Sequence, residues 1–256
     1  MYPPPNGSTP GYPNATPPRY VMLRLPRVTP VVTYVLMGIT IAVFFVQIMT
    51  QYVLGQDLAA AIGMKVNELI IGGQLWRLIT PMFLHGSILH IAFNMYALFA
   101  LGPGLESYYG HGRYLTLYLL SGFAGNVISF LFSGNPSLGS STAIFGLIGA
   151  EAVFLFRNRR ILGSMAQRAL TNVIVIIMIN LMLGSVSRGI DNWGHMGGLL
   201  GGTFFAWFAG PLFRMEGGSL DPQIVDERDP SRALIVGVLD FAIFATLAAM
   251  KILRGY

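Results

Sequence analysis

Gly139-Ser140-Ser141-Thr142-Ala143-Ile144-Phe145-Gly146-Leu147-Ile148-Gly149-Ala150 sets hydroxyl side chains at the head of an apolar, small-residue run, just after a Pro/Gly turn. The pattern predicts a buried helix with a polar mouth. Gly146, Gly149 and Ala150 give it a face on which a second backbone can come close. A serine hydroxyl is inert near neutral pH and attacks only with a positioned base. The surrounding chain must therefore supply both that base and the medium in which such a helix is buried.

The medium follows from composition. Hydrophobic residues make up 54% of the 256 and charged ones only 11%, with a mean hydropathy of +0.60, which marks an all-α polytopic membrane protein. Arginine placement by topology accounts for the net charge of +5, so no nucleic-acid partner is implied. There is no cysteine, hence no disulfide framework, thiolate metal site or cysteine nucleophile. Histidine and serine are left to carry any chemistry.

Working outward, nine of the fifteen prolines fall in the first thirty residues, and residues 1–28 are expected to form a disordered cytosolic tail. Val31 to Met49 reads as a retained membrane span. Six further apolar segments follow, at about Ile88–Leu101, Tyr114–Phe132, Ser141–Phe156, Leu170–Leu183, Trp193–Phe213 and Ala233–Met250, the first, third and fourth of these shorter than the usual ~20 residues. The expected plan is a six-helix core over 29–213, an acidic, solvated cytosolic linker over 214–232, and a seventh span with a short tail over 233–256. With the amino terminus in the cytosol, eleven of the sixteen Lys and Arg fall on the cytosolic side, Arg157-Asn158-Arg159-Arg160 being the strongest marker. Lys65, Arg77, Arg188, Lys251 and Arg254 fall outside, Lys251 and Arg254 against the rule. The loop from Gln51 to Ser87 is apolar enough to lie in the membrane interface.

Alternating spans bring the starts of the second, fourth and sixth segments to one level. His90 and Asn94 share a face of the second at i and i+4, Ser141 begins the fourth, and His195 lies near the start of the sixth. From Ser141 to Arg157 a helix rises about 24 Å, against a hydrocarbon core of roughly 30 Å, so Ser141 is recessed below the outer surface. Gly197/Gly201 and Gly198/Gly202 are small-xxx-small pairs. Close packing of the fourth and sixth segments would bring His195 within reach of Ser141 as general base, and His90, Asn94 and the Ser141 backbone N–H offer oxyanion donors.

Trp76-Arg77, His85-x4-His90-x3-Asn94, Glu106-x3-Gly110, Gly139-x-Ser141 and Gly194-His195-x2-Gly198-x3-Gly202, in that order, resemble the rhomboid intramembrane serine proteases. The resemblance runs from about Trp76 to Gly202. It implies a six-helix rhomboid-like bundle with one added carboxy-terminal transmembrane helix, and a dyad of Ser141 as nucleophile and His195 as base. It further implies oxyanion support from His90 and Asn94, and Phe145 stacked on the histidine. The expected reaction is cleavage of single-span transmembrane substrates near the extracytoplasmic face, within the lipid bilayer and with no cofactor, substrates entering by lateral movement near the fifth helix. The setting expected is a bacterial-type cytoplasmic membrane. Position 142 is Thr where the family commonly has Gly, and Ser140 is a second hydroxyl beside Ser141.

Other readings fit parts of the pattern. A non-proteolytic rhomboid-like scaffold would bind client helices with no use for both Ser141 and His195, and a transporter would show paired broken helices in two halves. A zinc site of His85, His90 and His195 lacks an acidic residue at the right spacing, so no metal is expected. Asp191 is read as the N-cap of the sixth helix rather than as a third catalytic residue. His85 fits either loop structure or the rim of the site. Glu151 and Asp240 are each expected to pair structurally inside the bundle, with no partner evident in the sequence, rather than to form a proton path. No sequence feature indicates an oligomeric state.

Overall fold

The computed structural model describes residues 25–187, 189–218, 222–229 and 231–255. Most of the expected tail, residues 1–24, lies outside the described residues, and so does Arg188. From Arg27 onward the chain is already docked. The Val28 N–H donates to the Ser107 carbonyl at 3.0 Å, the Ser107 hydroxyl donates to the Val28 carbonyl at 3.1 Å, and the Arg27 guanidinium lies over the Tyr108 ring.

The elements run α1 (Val32–Leu54), α2 (Leu58–Gly63), α3 (Asn67–Ile71), two 3-10 turns (Leu75–Leu78 and Thr80–Phe83), α4 (Ile88–Tyr109), α5 (His111–Phe132), α6 (Ser141–Arg157), α7 (Arg159–Leu162), α8 (Ser164–Val186), α9 (Asn192–Ala209), β1 (Phe213–Glu216), β2 (Gln223–Asp226) and α10 (Arg232–Arg254). Helices α1, α4, α5, α6, α8, α9 and α10 are the seven expected segments. Two expected as short are full length, α4 with 22 residues and α8 with 23. Gly102-Pro103-Gly104 does not end α4, because a proline withholds only one amide and the bundle braces the turn, with Thr33 and Tyr114 packed against Gly102. The stop comes at Gly110, whose φ of 75° suits glycine. Conversely, α9 ends at Ala209 rather than Phe213, where Gly210-Pro211 breaks it.

Among the described residues five helices, α1, α4, α5, α8 and α10, are long and apolar enough to cross a membrane. The 17-residue α6 and 18-residue α9 stand at the centre among them. The protein is an all-α, multi-pass membrane protein with a six-helix bundle and one added helix, α10, packed on α5 and α9. In the bundle the two glycine pairs of α9 serve different neighbours. A Cβ on Gly198 would lie 1.9 Å from the Thr142 carbonyl oxygen and one on Gly202 2.3 Å from that of Gly146, both on α6; on Gly197 and Gly201 it would meet Ala124 and, at Gly197, also Ile128 of α5. Contacts this close take the place of hydrophobic driving force between helices in lipid.

Buried carboxylates and cations tie the ends together. Glu106 is fully buried and accepts from the backbone N–H groups of Val31, Val32 and Thr33 at 2.7–2.8 Å and from the Thr33 hydroxyl at 2.7 Å, which caps the start of α1. At the same end, the segment expected as a solvated linker folds as a hairpin, β1 pairing antiparallel with β2 from Phe213↔Asp226 to Glu216↔Gln223. Asp226 holds it to the bundle, accepting from Arg113 at 2.6 Å and from the Leu212 and Arg228 N–H groups at 3.0 Å. Arg228 is buried and donates to the Gly210 carbonyl at 2.8 Å. Burial, then the nearby Arg157 and Arg232, lowers its pKa from the ordinary value.

At the far end, Lys251, one of the two cations on the wrong side for the charge rule, donates to the carbonyls of Phe130 at 2.7 Å and Leu131 at 3.2 Å. It caps the C-terminal end of α5, where the helix dipole is negative. Local backbone chemistry accounts for its place. The pairing expected of Asp240 is not formed: among the described residues neither oxygen of this buried carboxylate has a hydrogen-bond partner, and Oε2 of Glu151 has none either.

Candidate active site

Helix α6 begins at Ser141 because Gly139, at φ 135°, turns the chain inward. Only glycine fits there: the His90 ring packs over it, and a Cβ would lie 2.8 Å from His90 Cε1 and 2.9 Å from Nε2. Helix α4 starts two residues ahead of His90, with the Ser87 hydroxyl accepting from the His90 N–H at 3.1 Å. Helix α9 starts the same way, Asp191 accepting from the Gly194 N–H at 2.9 Å. Two local caps and the Gly139 turn fix three helix starts at one end of the bundle.

The His195 Nε2 and Ser141 Oγ are 2.9 Å apart. Phe145, one turn along α6, stacks on the His195 ring at 4.1 Å between centroids with an interplanar angle of 9°. The ring is thereby held flat against α6, while its Nδ1 is buried with no hydrogen-bond partner among the described residues. Asp191 thus acts on the helix backbone and makes no hydrogen bond to His195 Nδ1. A neutral ring whose Nε2 accepts from the serine hydroxyl is one that carries its proton on Nδ1.

Ser140 faces elsewhere. Its side chain is fully buried, with Oγ 3.2 Å from His85 Nε2. His85 is buried too; burial first, and then the neighbouring His90, push its pKa down to about 3, so it is neutral at physiological pH. The His85 and His90 rings meet edge-on at 5.0 Å. His90 Nδ1 faces the Gly86 N–H at 3.4 Å, which leaves Nε2 on the side of Gly139. Asn94 is buried and donates to the His90 carbonyl at 2.9 Å, within its own helix. Among the described residues no three His, Asp or Glu side chains gather as a metal ligand set.

The loop ahead of α4 is built around Trp76 and Arg77. The indole N–H donates to the Ile62 carbonyl at 3.0 Å, and the Arg77 guanidinium to the carbonyls of Met64 and Ala61, both at 2.7 Å. Beside it an open cavity of about 720 Å³ has Gln47, Asp57, His85 and Ser87 in its wall. Two residues that the sequence patterns do not single out shape this end. Gln47 brackets the His85 backbone, accepting from its N–H at 3.0 Å and donating to its carbonyl at 3.2 Å. Lys65 is fully buried. The signals were a glutamine inside an apolar span and a lysine in a loop with few charges.

The family model described as the Rhomboid domain matches residues 72–212, more than half of the chain and the stretch holding His85, His90, Asn94, Ser140, Ser141, Phe145 and His195. The chain belongs to the rhomboid family. It is 44% identical over 178 residues to the rhomboid protease GluP of Bacillus subtilis (strain 168), covering 69% of this chain and 34% of that protein. To the chloroplastic RHOMBOID-like protein 9 of Arabidopsis thaliana it is 32% identical over 193 residues, 72% of this chain and 44% of the other. To Rhomboid-like protease 3 of Toxoplasma gondii it is 37% identical over 131 residues, 51% of this chain and 50% of the other. This rhomboid chain thus spans between a third and a half of the length of these relatives.

Proposed function

We propose that the protein is an intramembrane serine endopeptidase that cleaves the transmembrane segments of single-span proteins near the extracytoplasmic face. The observation that carries this reading is the 2.9 Å approach of Ser141 Oγ to His195 Nε2 under the Phe145 ring. A general base needs that hydrogen-bond reach, and a stacked ring holds it there.

In the reaction His195 Nε2 takes the Ser141 proton as Oγ forms a bond to the scissile carbonyl carbon. The proton passes to the leaving amine as the C–N bond breaks, leaving an acyl-enzyme. Water, deprotonated by His195, then adds to the ester carbonyl carbon; the C–Oγ bond breaks, His195 returns the proton to Oγ, and the carboxyl product leaves. The oxyanion is held by the Ser141 backbone N–H at the positive start of α6, by His90 Nε2–H over Gly139, and by Asn94 once its amide turns from the His90 carbonyl. Substrate helices enter beside α8, which buries only Ala166, Val173 and Gly184 and so is the most loosely seated helix of the core. We place the end bearing Arg157, Arg159 and Arg160 in the cytosol, and with it the start of α1, in a bacterial-type cytoplasmic membrane.

The test incubates the purified protein, Ser141→Ala and Ser140→Ala with a single-span substrate and with a fluorophosphonate probe. The wild type and Ser140→Ala cut the substrate and take the label, and Ser141→Ala loses both, cleavage falling by about 10³-fold or more. Equal labelling or cleavage by Ser141→Ala would refute the assignment. Client binding without any cleavage by the wild type would favour the scaffold reading instead.

A further inference from the structure

Lys65 lies between α2 and α3, outside every membrane-spanning helix, yet its side chain is wholly buried. Its backbone forms an isolated antiparallel bridge with Ser137, the Lys65 N–H donating to the Ser137 carbonyl at 3.0 Å and the Ser137 N–H to the Lys65 carbonyl at 3.1 Å. Ser137 stands four residues ahead of Ser141, on the segment that delivers it to the head of α6.

The side chain reaches the other half of the pair. Lys65 Nζ donates to the carbonyls of Asn135 at 2.8 Å and Ser133 at 2.9 Å and to the Ser129 hydroxyl at 3.2 Å. That hydroxyl donates in turn to Asp191 Oδ2. The other carboxylate oxygen of Asp191 accepts from the Gly194 N–H at 2.9 Å, and its main-chain carbonyl accepts from the His195 N–H at 3.0 Å. The line from ammonium through hydroxyl to carboxylate has every bond polarised in one direction, an arrangement in which each bond strengthens the next. It ends on the first turn of the helix that carries His195.

We propose that Lys65 is a positioning residue for the Ser141–His195 pair, its backbone holding the segment that leads into Ser141 and its ammonium, through Ser129 and Asp191, holding the start of α9. The proposal rests on the proteolytic reading above for its effect on rate, and on geometry alone for the coupling of the loop to α9.

An ammonium has three N–H donors and is ringed here by four oxygen acceptors, the Ser129 carbonyl at 3.4 Å being the most distant; a neutral amine has two donors and a lone pair that would face an oxygen. The site is therefore made for the charged form, while burial works against it. Burial pulls the Lys65 pKa down to about 8; the charged groups facing it are Asp191 from α9 and Glu68 from α3, which raise it, and Lys251 from α10, which lowers it. The ammonium is present below about pH 8 and is lost as pH rises through that value, so the alkaline limb of activity belongs to this network.

The experiment measures cleavage of a single-span substrate between about pH 6 and about pH 10 for the wild type, Lys65→Met, Lys65→Arg and Ser129→Ala. Hydrogen exchange of the amides of residues 191–198 is followed in parallel. In the wild type the rate falls on the alkaline side with a midpoint near pH 8. Lys65→Met and Ser129→Ala lose about tenfold to a hundredfold in kcat with little change in KM, as a misplaced base does. Lys65→Met has no limb near pH 8. Lys65→Arg, charged throughout this range, recovers part of the rate and also lacks the limb. Amides 191–198 exchange faster in Lys65→Met and Ser129→Ala. The proposal is overturned if Lys65→Met keeps the alkaline limb of the wild type, or if exchange at 191–198 is unchanged in both variants. A wild type without Ser141-dependent cleavage overturns the proteolytic reading, and the exchange comparison then decides the coupling by itself.

Discussion

Thr142 occupies space that glycines on two other helices leave open. A Cβ on Gly125 would lie 2.6 Å from Thr142 Cβ, one on Gly194 3.0 Å from Thr142 Cγ2, and one on Gly198 1.9 Å from the Thr142 carbonyl oxygen. A side chain bulkier than the family commonly has at this position is thus accommodated by α5 and α9, one residue from Ser141. Gly198→Ala forces α9 away from α6 and destabilises by about 1–3 kcal/mol. Its expected result is a melting temperature several degrees lower together with slower fluorophosphonate labelling; an unchanged melting temperature would show that the close approach is not needed. His85 supports a second prediction at this scale. Its pKa is about 3 in the fold and about 6.5 in an unfolded chain. Between those values the unfolded chain binds a proton that the folded one rejects, so this contribution to stability falls as pH drops from about 6.5 towards about 3 and is flat above. The slope reaches about 1.4 kcal/mol per pH unit. Melting curves at several pH values check it: Lowering pH costs the wild type more stability than His85→Gln, and parallel pH dependence in the two would count against it.

At the scale of elements, helix ends decide the architecture. Glu106 of α4 takes the four donors at the start of α1, and Lys65 and Lys251 take carbonyls at the end of α5. In Glu106→Gln one carboxylate oxygen becomes an NH₂ group facing buried donors, which costs about 1–3 kcal/mol. The expected outcome is a lower melting temperature and faster proteolytic nicking ahead of α1, read by limited digestion in detergent. No change in either would mean that water replaces the cap. The hairpin was not legible beforehand, since residues 214–232 are polar and its strands are four residues each. Its order comes from Asp226, through contacts to Arg113 and Leu212 that no local pattern announces.

At the scale of the molecule, the seven traverses among the described residues put Arg160 and Arg254 at opposite ends of the bundle, with Gly73 in the loop at the end of Arg254. The chain has no cysteine, so single cysteines report topology without background. In whole cells, Gly73→Cys and Arg254→Cys react with a membrane-impermeant maleimide, and Arg160→Cys reacts only after the membrane is opened. Labelling of Arg160→Cys in intact cells would invert the proposed orientation.

Composition and the spacing of apolar residues were enough to establish a multi-pass helical membrane protein, the number of its long helices and the residues worth watching, because hydropathy and helical period are local properties of a chain. Helix ends were less legible: Gly102-Pro103-Gly104 reads as a stop, and only the packing of Thr33 and Tyr114 shows that it is not one. Ser140 and Ser141 are alike in sequence, and it took the tertiary structure to turn one towards His85 and the other towards His195, 54 residues from Ser141. The same holds for Lys65, a lone cation in a loop until Ser129, Ser137 and Asp191 converge on it from segments more than sixty residues along the chain. Such contacts depend on how closely glycine-faced helices approach, a matter of shape across the bundle that no stretch of sequence carries by itself.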